Sequence, residues 1–131
     1  FQILIIGKWL PEDFQKRIKP SNNVEYLGFV ENPYTIIANS LATLSPLFSG
    51  AGVKVKVVES LACGTPVIGN EISFEGISSF FSEFMIRADS AEEYLKAIEN
   101  ISIDLNKRKQ FKQTFMDNYK NQSIVNFIEE M

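Results

Sequence analysis

Residues 49–69, SGAGVKVKVVESLACGTPVIG, decide how the chain is read. Two glycines, Gly50 and Gly52, open an apolar run that ends at Cys63-Gly64 and restarts as Pro66-Val67-Ile68-Gly69. The first part predicts a helix over Gly52 to Ala62, terminated at Cys63-Gly64. The second predicts a strand, with proline at its entrance where no ladder donor is needed. Ala42-Thr43-Leu44-Ser45-Pro46, just upstream, predicts another strand. Strand, glycine-rich loop, helix and strand form a βαβ unit, which implies parallel pairing. Along the helix, Gly52, Lys56, Glu59 and Cys63 recur at intervals of four, three and four, so they share one stripe. A helix this apolar is expected to be buried on most sides. A carboxylate in its middle then needs either a neighbouring lysine or backbone group, or the hydroxyls of a ligand.

The same alternation extends in both directions. Gln2-Ile3-Leu4-Ile5-Ile6-Gly7 is a continuous apolar run, as expected of a strand buried on both faces of a parallel sheet. Pro11-Glu12-Asp13 starts a helix that ends near Lys19-Pro20. Val24-Glu25-Tyr26-Leu27-Gly28 is a second strand, and Asn32-Pro33 opens a short helix to about Ser40. Phe84-Met85-Ile86 is a fifth strand. Ser90-Ala91-Glu92-Glu93 has the form of a capping box and begins a helix through about Ile101. From Asp104 the pattern is helical, with Leu105, Phe111, Phe115 and Tyr119 at helical spacing, and residues 123–131 form a final short helix. The expected fold is α/β, a Rossmann-like parallel sheet flanked by helices, in one domain over residues 1–131. Ligands of such sheets sit at the carboxyl ends of the strands, which directs attention to residues 7–10, 28–32 and 46–52.

Composition narrows the chemistry. The net charge of −3 offers no electrostatic case for nucleic acid. A single cysteine, Cys63, excludes an internal disulfide, and the absence of histidine removes Ser-His-Asp and Cys-His catalysis and histidine metal ligands. No apolar stretch approaches the ~20 residues that span a bilayer. Phe1 begins within an apparent strand, so the chain is read as cut from a longer protein.

The glycine mouth at Gly50 and Gly52, before a helix N-terminus, suits an anion such as a phosphate, because unpaired N–H groups and the helix dipole meet there. The competing reading is a loop whose glycines satisfy turn geometry alone. For other residues the structural reading prevails: Cys63 as a small core residue, Trp9 capping the core or the mouth of the crevice, the basic residues of 106–112 as a solvated helix face, and Ser45 and Ser49 bonding backbone.

Three blocks resemble the C-terminal, nucleotide-sugar-binding domain of GT-B glycosyltransferases, especially glycosyltransferase family 4. They are Ile5-Ile6-Gly7, the block from Val24 through Gly28-Phe29-Val30, and the long block from Gly50 to Ile68 with its E-x-L-A-x-G-x-P-V core, followed by Glu75-Gly76-Ile77. The likeness runs to about Phe84. It implies that Glu59 is the second glutamate of the family's E-x7-E motif and holds the ribose hydroxyls. It also implies that Gly50, Ala51, Gly52, Val53 and Lys54 form the diphosphate and sugar loop. Gly28, Phe29 and Val30 would contact the base, mainly through backbone, and Gly7 and Lys8 would line the crevice. The motif's first glutamate, which contacts the donor sugar in much of the family, falls at Ala51.

The resemblance further implies a donor domain, half of a GT-B fold, serving retaining transfer of a sugar from a nucleoside diphosphate sugar in polysaccharide or glycan synthesis. No metal or other cofactor is expected, and no residue within these 131 is assigned a catalytic role. A glycan or lipid-linked acceptor would be held by an N-terminal domain lying upstream, together with any membrane-surface contact. The setting would be cytoplasmic or peripheral at the inner face of the membrane. Two alternatives stand beside this: a non-catalytic nucleotide-binding module, kept open by Ala51, and a GT-B nucleotide-sugar epimerase, disfavoured by the lack of histidine.

Overall fold

The computed structural model describes residues 1–47, 49–119 and 128–129. They fall into two compact units, Phe1–Pro33 and Tyr34–Met131.

The first unit is a single βαβ element. Strand β1 (Ile3–Ile6) leads through helix α1 (Glu12–Ile18) to strand β2 (Val24–Gly28), and the strands pair in parallel with Ile3 opposite Val24 and Ile5 opposite Tyr26. The register slips after Ile5, so Ile6 faces Gly28 and Leu27 is the extra residue. Glu12 and Asp13 occupy the first turn of α1 and Lys16 and Arg17 the last, both matching the helix dipole. Burial corrects one expectation. Leu4 is 40% exposed, and Ile3, Ile5 and Ile6 are only half-buried. A sheet of two strands has too little cover to bury both of its faces.

The second unit carries the core. Strands β3 (Thr43–Ser45), β4 (Val67–Gly69) and β5 (Met85–Arg87) form a parallel sheet in that order, with Leu44, Ile68 and Ile86 in line across it. Helices α2 (Pro33–Ala38), α3 (Val55–Ala62), α4 (Ala91–Asn100) and α5 (Leu105–Asn118) complete it. Two 3-10 segments, Ile72–Phe74 and Ser79–Phe84, link β4 to β5, where the sequence pattern predicts no element. The central strand is the most deeply placed: Val67 and Ile68 have no exposure, and neither do Val57, Val58, Leu61 and Ala62 of α3. Across from them, Phe84 stacks on Phe111 at 4.0 Å between ring centroids, and Phe115 meets Phe81 at 4.7 Å and Tyr119 at 4.8 Å. The helical spacing of Phe111, Phe115 and Tyr119 is therefore a core stripe. Leu105 does not join it and is 73% exposed, because its place in the first turn of α5 lies beyond the sheet's cover. The final helix expected over 123–131 lies outside the described residues except at Ile128 and Glu129, which are helical.

Helix ends follow the local chemistry. The Ser90 hydroxyl accepts the Glu93 amide at 3.2 Å, and the Asp104 carboxylate accepts that of Lys107 at 3.1 Å. Helix α3 closes with the Gly64 amide on the Leu61 carbonyl and the Thr65 amide on that of Ser60, a Schellman arrangement. Gly64 is obligatory there. Its φ is +76°, and a Cβ would stand 2.7 Å from the Arg108 carbonyl oxygen.

Arg108 departs from its expected place on a solvated face. Its guanidinium donates to the carbonyls of Gly64 (2.8 Å), Ser40 (2.8 Å) and Ala38 (3.2 Å) and to the Thr65 hydroxyl (2.6 Å). The planar fork thus gathers the carboxyl-terminal carbonyls of two helices, where a cation is favoured. Thr65 passes the connection on by donating to the Ile37 carbonyl at 2.8 Å.

Candidate functional site

Helix α3 begins three residues later than the sequence suggests. Gly52 has φ +79° and Lys54 is extended, so neither is helical and Val55 is the first residue of the helix. Gly52 therefore does not share the stripe of Lys56, Glu59 and Cys63. Val53 and Val55 are 42% and 51% exposed, so the apolar run does not bury its first residues. The loop itself faces solvent at Ser49, Gly50, Ala51, Gly52 and Val53. The Lys54 ammonium folds back to donate to the Gly52 carbonyl at 2.6 Å, and the Gly52 amide donates to a carboxylate oxygen of Glu75 at 2.9 Å. The amides of Val55 and Lys56, first in the helix, have no preceding helical carbonyl to bond.

Asn70 and Ser73 tie this region to the sheet. The Asn70 amide group donates to the Leu47 carbonyl, and the Ser73 hydroxyl lies 2.6 Å from the Ser45 carbonyl and 2.8 Å from the Asn70 side-chain oxygen. These two residues set the path of the chain as it leaves β3. No sequence signal separated them from ordinary turn residues.

Glu59 lies on the buried part of α3 and is 9% exposed. One carboxylate oxygen accepts the Tyr34 hydroxyl at 3.0 Å. The other is buried and accepts no hydrogen bond among the described residues. Lys56 Nζ stands 3.7 Å from that oxygen, an ion-pair distance beyond hydrogen-bond range, on a side chain that is 83% exposed. Such a pairing is worth about 1 kcal/mol or less. Glu59 is therefore a nearly buried acceptor with unused lone pairs. Tyr34, which sequence reasoning missed, is its partner from 25 residues upstream. Burial first, then the bond to Glu59 and its charge, push the Tyr34 phenol up to about 12, so it remains a neutral donor across the physiological range.

Cys63, one turn beyond Glu59, is half-buried, and burial, opposed by Lys112, pushes its thiol up to about 11 from 9.0. Only the thiolate reacts with alkylating agents. Iodoacetamide labelling at pH 8 is therefore expected to run about a hundredfold slower than for a free thiol, with the rate still rising above pH 10. A rate levelling near pH 9 contradicts this.

The candidates of the first unit lie at or just past the ends of β1 and β2. The Gly7 amide donates to the Gly28 carbonyl at 2.8 Å, and the Tyr26 hydroxyl donates to the Gly7 carbonyl at 2.7 Å. Lys8 Nζ sits 4.6 Å from the centre of the Phe29 ring, a cation–π contact. Phe29 is 65% exposed and Val30 half-buried. Trp9 caps nothing: it is 91% exposed, with φ +67°. The backbone turns sharply after Gly7 and carries the indole outward.

Among the described residues, no helix is long and apolar enough to cross a membrane, and no group of three or more Cys, Asp or Glu could hold a metal ion. A cavity of about 510 Å³ opens at the amino ends of β4 and β5, lined by residues such as Pro66, Phe84 and Lys107. It lies at the opposite end of those strands from the glycine loop.

Residues 1–104 match the family profile described as Glycosyl transferases group 1. The chain belongs to that family. Solved structures that share its fold include Anabaena Alr3699/HepE in complex with UDP (TM-score 0.70, 16% identity, covering 98% of this chain and 40% of that one), the same protein in complex with UDP and glucose (TM-score 0.69, 18% identity, 98% and 39%), and WaaG, a glycosyltransferase involved in lipopolysaccharide biosynthesis (TM-score 0.69, 14% identity, 97% and 36%). At these identities the likeness shows the fold, that of a GT-B glycosyltransferase domain. The chain spans about two fifths of the length of each of these structures. No significant match was found among curated protein sequences.

Proposed function

We propose that this glycosyltransferase domain binds the nucleoside diphosphate sugar donor of a retaining transferase. The observation that carries the reading is Glu59, a nearly buried carboxylate with one oxygen held by Tyr34 and the other accepting no hydrogen bond. A buried acceptor left in that state is costly unless something completes it. A ribose diol supplies two hydroxyl donors and no charge, which suits it. The exposed loop of Gly50, Ala51, Gly52 and Val53, with Lys54 next to it, would meet the diphosphate. HepE was solved with UDP, and with UDP and glucose, which supports a donor of this chemical class.

The chemical burden on such a site is the departing diphosphate, whose charge grows as the sugar leaves. Lys54 and the first amides of α3 are the groups here that would stabilise it. The chemistry needs no histidine, and we assign it no metal. The acceptor, a glycan or lipid-linked sugar, and any contact with the inner face of the membrane would belong to another part of the protein. Polysaccharide assembly in the cytoplasm is the setting we assign.

Calorimetric titration of the chain with UDP, GDP and ADP tests the reading. Binding of one of them, without sugar transfer by these 131 residues alone, is expected. Binding of none sinks the proposal. Proton NMR of the product made by the whole protein would decide retention: an inverted anomeric configuration removes that part. A non-catalytic nucleotide-binding module is favoured by a single residue, Ala51, which brings no polar group to the loop. It predicts the same titration with no transfer by the whole protein.

A further inference from the structure

We propose that Glu75 supplies the sugar-binding carboxylate of the glycine loop and accepts hydrogen bonds from hydroxyls of the transferred sugar. This deepens the donor-site reading above and rests on it.

The loop holds one cation and one carboxylate on the two backbone groups of a single residue, Gly52. Lys54 Nζ donates to the Gly52 carbonyl at 2.6 Å, while the Gly52 amide donates to Glu75 Oε1 at 2.9 Å. Glu75 comes from 23 residues further along the chain, beyond β4 and the 3-10 segment Ile72–Phe74. It is not there by loose chance. Gly76 has φ +79°, and a Cβ on it would lie 2.7 Å from Val53 Cγ2, so the two segments touch with no room for a side chain between them. The contact fixes Oε1 on the amide. Oε2 accepts no hydrogen bond among the described residues, and Glu75 is exposed. Ala51, next to the bonded amide, contributes no polar atom. Glu75 is therefore the carboxylate that this loop presents to solvent.

The chemistry of the two charges separates their partners. A diphosphate is drawn to the ammonium and repelled by the carboxylate. Sugar hydroxyls are neutral donors, and a carboxylate is their strongest side-chain acceptor. A nucleoside diphosphate sugar presents both groups in succession, phosphates and then hydroxyls. A loop that pairs Lys54 with Glu75 across one residue is suited to that succession.

The alternative is that Glu75 only fastens the loop, and matched ligands separate the two. The chain is titrated with UDP and UDP-glucose, GDP and GDP-mannose, and ADP and ADP-glucose, native and as Glu75→Gln. For the pair that the native protein binds, the variant is expected to weaken the nucleotide sugar about tenfold, the worth of one charged hydrogen bond, and the free nucleotide less than about twofold. Glu75→Asp keeps the charge but shortens its reach. It is expected to show the same selective loss, and it carries the comparison if the glutamine variant does not fold. Equal loss for both ligands means a fastening role and overturns the proposal. So does tighter binding of both, which would make Glu75 a repellent of the diphosphate, and so does no change. Failure of the native protein to bind any of the six removes the donor-site reading itself.

Discussion

Arg108→Ala is expected to lower the free energy of unfolding by about 3–5 kcal/mol and Tm by roughly 10–15 °C. The four groups that Arg108 serves are the carbonyls of Ala38, Ser40 and Gly64 and the hydroxyl of Thr65. Each bond has a charged donor, and such bonds are individually worth about 1.5–3 kcal/mol. Their sum is not additive, because one side chain makes all four. The loss is amplified by position. The carbonyls belong to the ends of α2 and α3, which have no further helical amide to bond. Arg108→Lys is expected to recover less than half of the loss, since an ammonium cannot span acceptors that a planar fork reaches together. Thermal unfolding followed by circular dichroism checks both variants. A shift in Tm below about 3 °C for the alanine variant would show that water replaces the guanidinium without cost.

Glu59→Ala is expected to weaken binding of the nucleotide that the native chain takes by about 10²–10³-fold, the loss of two hydroxyl bonds to a carboxylate. Stability should move the other way or not at all. The native protein keeps a buried carboxylate with one oxygen short of a hydrogen bond, and such a group is retained against the interest of folding. Glu59→Gln removes the charge while leaving an oxygen for the Tyr34 hydroxyl. Its Tm is expected to equal or exceed that of the native chain, while its nucleotide affinity falls. Calorimetric titration and thermal unfolding on the same preparations separate the two effects. If binding and Tm fall together in both variants, Glu59 is a structural residue and the ribose role is lost.

Much of this is legible in the sequence. The elements most clearly marked were those with both a period and a stop signal. Helix α4 is bounded by its Ser90 cap, and β2 falls on Val24–Gly28 as read. The start of α3 was misplaced because an apolar run says nothing of φ. Gly52 and Val53 continue the hydrophobic pattern, yet Gly52 sits at φ +79° and the helix waits for Val55. The 3-10 segments went unread because runs of three to six residues carry too little periodicity to detect.

The candidate site divides in the same way. Glu59 announced itself as a carboxylate in an apolar helix, and the glycine loop as a mouth before that helix. Their contacts left no mark. Tyr34, Glu75, Asn70 and Arg108 act from 23 to 70 residues away from the groups they hold, apart from local contacts. A local pattern reports which face of its own element is apolar. It cannot report which distant polar atom the fold will bring to that face.

What the sequence determined by itself is the alternation of strands and helices, the parallel pairing that alternation requires, and the presence of a carboxylate where burial makes one expensive. These follow from local period, glycine and proline placement, and the cost of burying charge. The tertiary structure alone decided that Glu59 keeps one oxygen unused, that a carboxylate from Glu75 stands at the loop beside Ala51, and that Arg108 binds two helix ends together. The physical reason is the same in each case. Hydrogen bonds and charge pairs are short-ranged and directional, so they exist only once packing has set distances that the linear chain does not contain.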